Sequence, residues 1–178
     1  METLFIPGTE TTPQVYFNPK IPVNGKYLFE IAGESRPTDA GKFFNPVFAW
    51  IREFEEEEKF WLSMGRKIRI KFKLSYFNSP SAKCFFDIIQ RIERLHKTYP
   101  HTDFKIIWTY DEFDEDIKQA GEEFEKMVSV PFNIVLNYLY IEPTPSTPKI
   151  VVNTEQKLFE ISGKSFGENL PEVYQPLF

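Results

Sequence analysis

The sequence is poor in the residues on which several classes of protein depend. Its 178 residues include a single cysteine, Cys84, which excludes an internal disulfide and suits a reducing cytoplasm. The two histidines, His96 and His101, form no pair with Cys84 at the spacing of a zinc site. We find no glycine-rich phosphate-binding loop and no defensible Ser/His/Asp or Cys/His arrangement. These absences argue against a metal site, a bound cofactor and nucleophilic catalysis.

Long apolar runs and an excess of basic charge are also missing. No segment approaches the roughly 20 apolar residues that a membrane helix needs, and the first residues, Met1 to Pro7, lack the basic start of a signal peptide. The chain carries 21 Lys and Arg against 26 Asp and Glu, a net charge of −5. Since a phosphate backbone recruits a clustered basic surface, nucleic acid is not the expected partner. We therefore expect a soluble cytoplasmic protein with neither membrane nor nucleic acid as its partner.

Several charged and aromatic features have a simple structural interpretation. The run Glu55–Glu58 is typical of a solvated helix end, and Asp111–Asp116 lacks the loop spacing and the glycine of a calcium motif. Alternating cations from Lys67 to Lys73 are expected on the outer face of a strand, where they could also meet an acidic partner. We expect the three tryptophans in the core or at its edge. They are Trp50, Trp61 and Trp108.

What the chain does have is a regular alternation of strand and helix patterns. The clearest example runs from Lys67 to His96, where alternating apolar residues give way, across Asn78-Ser79-Pro80-Ser81, to apolar residues at helical spacing. Asn or Ser before a helix with a nearby proline is a helix-start signal.

The same patterns predict the other elements of the chain. The predicted strands are residues 14–17, 27–32 (ended by Gly33), 67–74, 104–110 and 132–141, and residues 1–13 are predicted to be an arm. The helices are predicted from Thr38 or Asp39 to Glu58, from Asn78 to near Pro100, and over 111–127, weakened by Gly121. This order predicts an α/β fold with a mixed sheet packed with helices.

The C-terminal residues repeat the N-terminal pattern. Thr12–Asn18 matches Thr147–Asn153, and Leu28–Ser35 matches Leu158–Ser165, with a connection that is five residues shorter in the second copy. We therefore predict a domain over residues 1–141, a stiff Pro/Thr linker over 142–148 and a truncated second repeat over 149–178, consisting of a β-hairpin and the start of a helix. An orphan hairpin has exposed edges, so we expect it to pack on the first domain or on another copy.

The chain resembles the SiaC family of regulatory phosphoproteins over residues 1–141. The resemblance rests on motifs that occur in the family's order along the chain: Phe5–Pro13, Phe29–Ser35, Tyr76–Cys84, Ala120–Phe124 and Val130–Phe132. It implies a fold similar to the anti-sigma-factor-antagonist (STAS) domains. It also implies a non-enzymatic role in a partner switch: a serine/threonine kinase phosphorylates the protein, a PP2C-type phosphatase reverses this, and the unmodified form binds and stimulates a diguanylate cyclase.

The resemblance further implies which residues carry the switch. The family's phosphoacceptor lies in an Asn-Thr-Ser-Ser motif, and the matching residues here, Asn78 to Ser81, place Ser79 at the acceptor threonine and a proline after it. Ser81 is the second candidate acceptor. The expected partner-binding residues are Tyr76, Asn78, Ser79 and Lys83. A phosphate at this point would lie at a helix N-terminus, where the helix dipole favours negative charge.

Three other interpretations of the residues remain open. Ser79 could simply cap its helix, which would contribute about 1 kcal/mol to stability. The domain could be purely structural, as the partial repeat would allow. A small hydrolase is the third alternative, and it would require a base beside Ser79 that sequence proximity does not supply.

Overall fold

The chain forms two compact units, Met1–Tyr140 and Ile141–Phe178, in a computed structural model that describes residues 1–19, 27–137, 149–153 and 158–162. The predicted class is confirmed, since the first unit combines a six-stranded mixed sheet with three helices. Its elements are β1 (Leu4–Ile6), β2 (Gln14–Phe17), β3 (Tyr27–Ser35), α1 (Ala40–Ser63), β4 (Lys67–Phe77), α2 (Ser79–Thr98), β5 (Asp103–Tyr110), α3 (Glu115–Glu125) and β6 (Phe132–Leu136). The described part of the second unit comprises β7 (Lys149–Asn153) and β8 (Leu158–Ser162).

The strands of the first sheet follow the order of the chain, from β1 to β6. β1, β2 and β3 are antiparallel neighbours, whereas β3, β4, β5 and β6 run parallel. One helix connects each pair of neighbouring parallel strands. Because such crossovers are right-handed, three consecutive ones in the same direction place α1, α2 and α3 on the same face of the sheet. The carboxyl ends of the parallel strands, and the start of each following helix, therefore meet at one edge of the unit.

Aromatic rings from all three helices meet the covered face of the sheet. Phe29 of β3 contacts Trp50 of α1, with ring centroids 5.1 Å apart. Phe72 of β4 contacts Phe85 of α2 at 5.7 Å. Trp108 of β5 contacts Phe124 of α3 at 5.4 Å. These edge-to-face and tilted contacts explain the chain's heavy use of phenylalanine, because large flat side chains fill a thick α/β core.

Gly121 in α3 is required by close packing against β5. A Cβ atom at this position would lie 2.5 Å from Cδ1 of Trp108. Trp108 is fully buried, and its Nε1 donates a 2.8 Å hydrogen bond to the carbonyl of Ile117. The glycine that weakens the helix pattern in the sequence is thus the point where the helix approaches the sheet.

Several predicted boundaries were wrong, each for a physical reason. The N-terminal arm contains strand β1, which is too short at three residues to show a period of two. Gly33 does not end β3: its φ of 98° accommodates a register shift between Gly33 and Glu34, after which the strand continues to Ser35. β4 runs on to Phe77, and α3 is shorter than its pattern, beginning only at Glu115 after a cap at Asp114. The last strand ends at Leu136, and the rest of its predicted range, beyond residue 137, lies outside the described residues.

Two side chains are placed differently from the prediction. Arg69, expected on a solvated strand face, is only 6% exposed and donates to the carboxylate of Asp103 at 2.8 Å. Burial is the largest single influence on the Asp103 carboxyl and would raise its pKa. The hydrogen bond and the positive charge of Arg69, with other nearby cations, outweigh burial, so the pKa is lowered. Trp61 is 51% exposed rather than part of the core or its edge, whereas Trp50 and Trp108 are buried as predicted.

The second unit reproduces the first hairpin in its exact register. In the first hairpin Gln14 faces Ala32, and in the second Lys149 faces Ser162, which are the equivalent positions of the repeat. The shorter connection therefore leaves the strand pairing unchanged. The predicted linker and the predicted start of a second helix lie outside the described residues.

Candidate functional site

The junction between β4 and α2 is built by a local capping interaction. Asn78 has an extended backbone, with φ −90° and ψ 169°, and its Oδ1 accepts a 3.0 Å hydrogen bond from the backbone N–H of Ser81. The helix then begins at Ser79, with Pro80 as its second residue. Asn78 is therefore the cap, so the interpretation of Ser79 as a mere capping residue is wrong. Ser79 is left with its side chain exposed at the first helical position.

The predicted partner-binding residues lie together around this junction. Tyr76, at the end of β4, is 51% exposed, and Asn78 is half-buried. Lys83 is exposed and lies four residues after Ser79, so the two share one face of α2. They occupy the edge of the unit where the parallel strands end.

The two candidate phosphoacceptors differ sharply in exposure. Ser81 is 0% exposed and its hydroxyl accepts a 2.9 Å hydrogen bond from the hydroxyl of Ser35, which is also 0% exposed. A kinase cannot reach Ser81 in this conformation. Ser79, two residues earlier, faces solvent. The geometry therefore favours Ser79 as the acceptor.

Most of the backbone donors of the first helical turn are already used. The N–H of Ser81 bonds to the Asn78 side chain, that of Ala82 bonds to the Asn78 carbonyl, and Pro80 has no N–H. A phosphate on Ser79 would thus depend on the helix dipole and on nearby cations more than on free amides. No acidic residue in the first turn opposes it, and Lys83 lies one turn further on.

A groove of about 530 Å³ lies beside this junction, between the beginnings of α1 and α2. Phe48, Pro80 and Cys84 contribute apolar walls, while Asp39 and Asp87 place carboxylates around it. Cys84 is buried, and burial, followed by the charge of Asp87, raises the pKa of its thiol, which disfavours the reactive thiolate. The groove therefore combines apolar walls with exposed carboxylates beside the junction.

No sequence pattern gives a specific role to Ser35 or to Arg36, which both lie close to this junction. The carbonyl of Ser35 accepts from the N–H of Asn78 at 3.0 Å, so the end of β3 holds both the cap and the buried Ser81. Arg36 follows it on the surface. Its hydrogen bond with Glu34, together with the negative charge of that carboxylate, raises the pKa of the guanidinium. Ser35 ends the Phe29–Ser35 motif, on which the family resemblance partly rests, and this motif is the one sequence signal that points to Ser35.

Within the described ranges, no hydrogen bond joins the Ser79 hydroxyl to a carboxylate or an imidazole, and no group of three His, Cys, Asp or Glu side chains could hold a metal ion. No helix in the same ranges is long and apolar enough to cross a bilayer.

Comparison with known proteins gives one consistent result. The model of the SiaC family of regulatory phosphoproteins matches residues 6–137 and again residues 141–178. An uncharacterized protein of Pseudomonas aeruginosa (strain UCBPP-PA14) is 28% identical over 134 residues, covering 75% of this chain and 96% of its own length.

Solved structures agree with this match. The chain is similar to apo-SiaC from Pseudomonas aeruginosa, with a TM-score of 0.62 and 27% identity, over 76% of this chain and 99% of that one. It is also similar, with a TM-score of 0.61 and 28% identity over 75% and 99% of the two chains, to a chain in the structure of the diguanylate cyclase SiaD in complex with its activator SiaC.

Proposed function

Because this chain belongs to the SiaC family of regulatory phosphoproteins, we propose that it is a non-enzymatic signalling protein whose binding to an effector is switched by phosphorylation of Ser79. The effector is a diguanylate cyclase or a similar enzyme, by analogy with the related complex of SiaD with SiaC. A serine/threonine kinase adds the phosphate and a PP2C-type phosphatase removes it. The single observation that supports this most is the exposed hydroxyl of Ser79 at the first position of α2.

A phosphate at Ser79 would change the docking surface without changing the fold. It adds a charge of about −1.5 to −2 between Tyr76 and Lys83, on a surface whose groove already holds two carboxylates. An effector surface that accepts the neutral hydroxyl would lose binding through repulsion and through the cost of removing water from the phosphate. Lys83, one turn away, would turn toward the phosphate and so become less available to the partner.

The experiment combines detection of the phosphate with a binding measurement. Phosphopeptide mass spectrometry of the protein from its own cells should locate the modification on Ser79 and leave Ser81 unmodified. Binding to the cyclase encoded in the same organism should be retained by Ser79→Ala and weakened at least tenfold by Ser79→Asp. Ser63→Asp provides the matched control, because Ser63 is also exposed but ends α1 at the opposite edge of the unit. Identical binding by both Ser79 variants would refute the switch.

The C-terminal hairpin has a separate proposed role in association. β7 and β8 pair in the register of the first hairpin. A two-stranded hairpin has two unpaired strand edges, and each could pair with a strand of the first domain or of another copy of the chain. Removing residues 143–178 is expected to change the oligomeric state, measured as the mass in solution divided by the mass of one chain, or the melting temperature. No change in either would exclude this role and leave the switch untouched.

A further inference from the structure

The arginines of this chain fall into two groups of three. Arg36, Arg66 and Arg69 each have a carboxylate partner, respectively Glu34, Glu58 and Asp103. The other three make no ion pair within the described ranges. They are Arg52, Arg91 and Arg94, and all three line one cleft of about 280 Å³ between α1 and α2. In a chain with a net charge of −5, this concentration of unpaired cations is a distinct local feature.

The cations enter the cleft from both of its walls. Arg52 projects from α1, while Arg91 and Arg94, three residues apart, project from the same face of α2. Ile51 and Leu95, which are 5% and 1% exposed, form an apolar floor between them. A ligand lying in the cleft would therefore meet positive charge on either side and apolar atoms beneath.

One of the arginines is held in place before any ligand arrives. The guanidinium carbon of Arg91 lies 5.1 Å from the ring centre of Phe48, a cation–π contact that limits its rotamers. Restricting a long side chain in advance lowers the entropy cost of binding. Guanidinium groups also match carboxylates in a two-pronged geometry, which lysines do not.

We propose that this cleft binds an acidic peptide segment of a partner protein. Glu55 favours such a segment over a compact phosphate ion, because its carboxylate lies in the cleft beside the arginines and would repel a small anion. A small dianion that approaches all three cations also approaches Glu55, whereas an extended segment distributes its carboxylates among the arginines and directs an apolar side chain to Ile51 and Leu95. The segment is thus rich in Asp or Glu, with apolar residues between them.

The cleft is separate from the proposed phosphorylation site. Arg91 and Arg94 follow Ser79 by twelve and fifteen residues on one helix, which corresponds to roughly 18 to 22 Å along its axis. A partner can therefore occupy the cleft whether or not Ser79 is modified.

The test uses the full-length chain and a fluorescein-labelled peptide of twelve residues in which two glutamates alternate with one leucine. Fluorescence anisotropy should show saturable binding that weakens with added sodium chloride. The double variant R52E/R94E should weaken peptide binding at least tenfold. R52K/R94K should weaken it less, because lysine keeps the positive charge but loses the two-pronged geometry of the guanidinium group. Both arginines are exposed, so neither variant disturbs the core.

The matched control is K42E/K126E, which makes the same change of charge at two exposed lysines. Lys42 lies ten residues before Arg52 on α1, about 15 Å along the helix axis, and Lys126 is the C-terminal cap of α3. This control should bind the peptide within a factor of two or three of the wild type. Equal losses in the two double variants would show that only net charge matters and would overturn the proposal. So would a failure of the wild type to bind, or displacement of the peptide by inorganic phosphate beyond the effect of sodium chloride at the same ionic strength, which would indicate a small-anion site.

Discussion

The hydroxyl of Ser35 donates a 2.9 Å hydrogen bond to the hydroxyl of Ser81, and both side chains are fully buried. This contact joins the end of β3 to the first turn of α2, across 46 positions of sequence. Together with the bond from the N–H of Asn78 to the Ser35 carbonyl, it fixes the turn that presents Ser79 to solvent.

Ser35→Ala and Ser81→Ala should each destabilise the protein by about 1–3 kcal/mol, because each leaves the other hydroxyl buried without its partner. Urea denaturation measures the change. The double variant should cost less than the sum of the two, since it removes both polar groups. Strictly additive losses would show that the two hydroxyls do not stabilise each other.

Glu93 should make the stability of the fold fall in acid. Burial alone would raise its pKa, but hydrogen bonds from Lys97, Ser129 and Val130 together outweigh burial and lower the pKa from 4.5 to about 2. A lowered folded-state pKa stabilises the protein above pH 4.5, and this contribution is lost as the pH falls from about 4.5 toward 2. Glu93→Gln should lower the free energy of unfolding by roughly 2–3 kcal/mol at pH 7. This figure converts the pKa shift into free energy and is reduced because Lys97, one of the partners, is exposed to solvent.

The pH dependence distinguishes this interpretation from a general effect of the substitution. The difference in unfolding free energy between wild type and Glu93→Gln should shrink as the pH is lowered through that window. Glu123→Gln is the control, because Glu123 is exposed on α3. A difference that stays constant from pH 7 to pH 3 would contradict the assignment.

Gly121→Ala should destabilise the fold although alanine is the better helix former. Its Cβ would lie 2.5 Å from Trp108, whose ring is fixed by its hydrogen bond to Ile117, and overpacking of this kind costs about 1–3 kcal/mol. Gly41→Ala in α1 is the matched control, because the nearest atom there, Oδ1 of Asp39, is at an ordinary 3.5 Å. That change should be neutral or stabilising by up to about 1 kcal/mol, as thermal or urea unfolding can verify.

Tyr76→Ala should weaken effector binding roughly tenfold to a hundredfold while leaving stability within about 0.5 kcal/mol, since an exposed aromatic at a docking surface contributes mainly to binding. Phe60→Ala is the control for loss of an exposed ring, because Phe60 is 61% exposed near the end of α1, at the opposite edge of the unit. Equal effects of the two variants on binding would exclude Tyr76 from the interface.

Local patterns in the sequence predicted most of the secondary structure. The change from period two to helical spacing at Asn78 to Ser81 located the β4–α2 junction to within a few residues, because capping and periodicity act between near neighbours. The same reasoning failed where neighbours are remote. β1 is too short to show a period, and the strand continues past Gly33 only because β4 lies beside it to complete the ladder.

By itself, the sequence determined the α/β class, the family resemblance, the internal repeat and the stretch that carries the candidate switch, since each depends on residue type and order. Only the tertiary structure decided which hydroxyl of that stretch is exposed. The rotation of α2 on the sheet turns Ser81 toward Ser35 and leaves Ser79 outside, and no local signal specifies a partner 46 residues away. The same holds for Arg69, buried beside Asp103, and for the three arginines that α1 and α2 bring to one cleft. Periodicity is a property of one segment, whereas burial and charge clustering result from the packing of several.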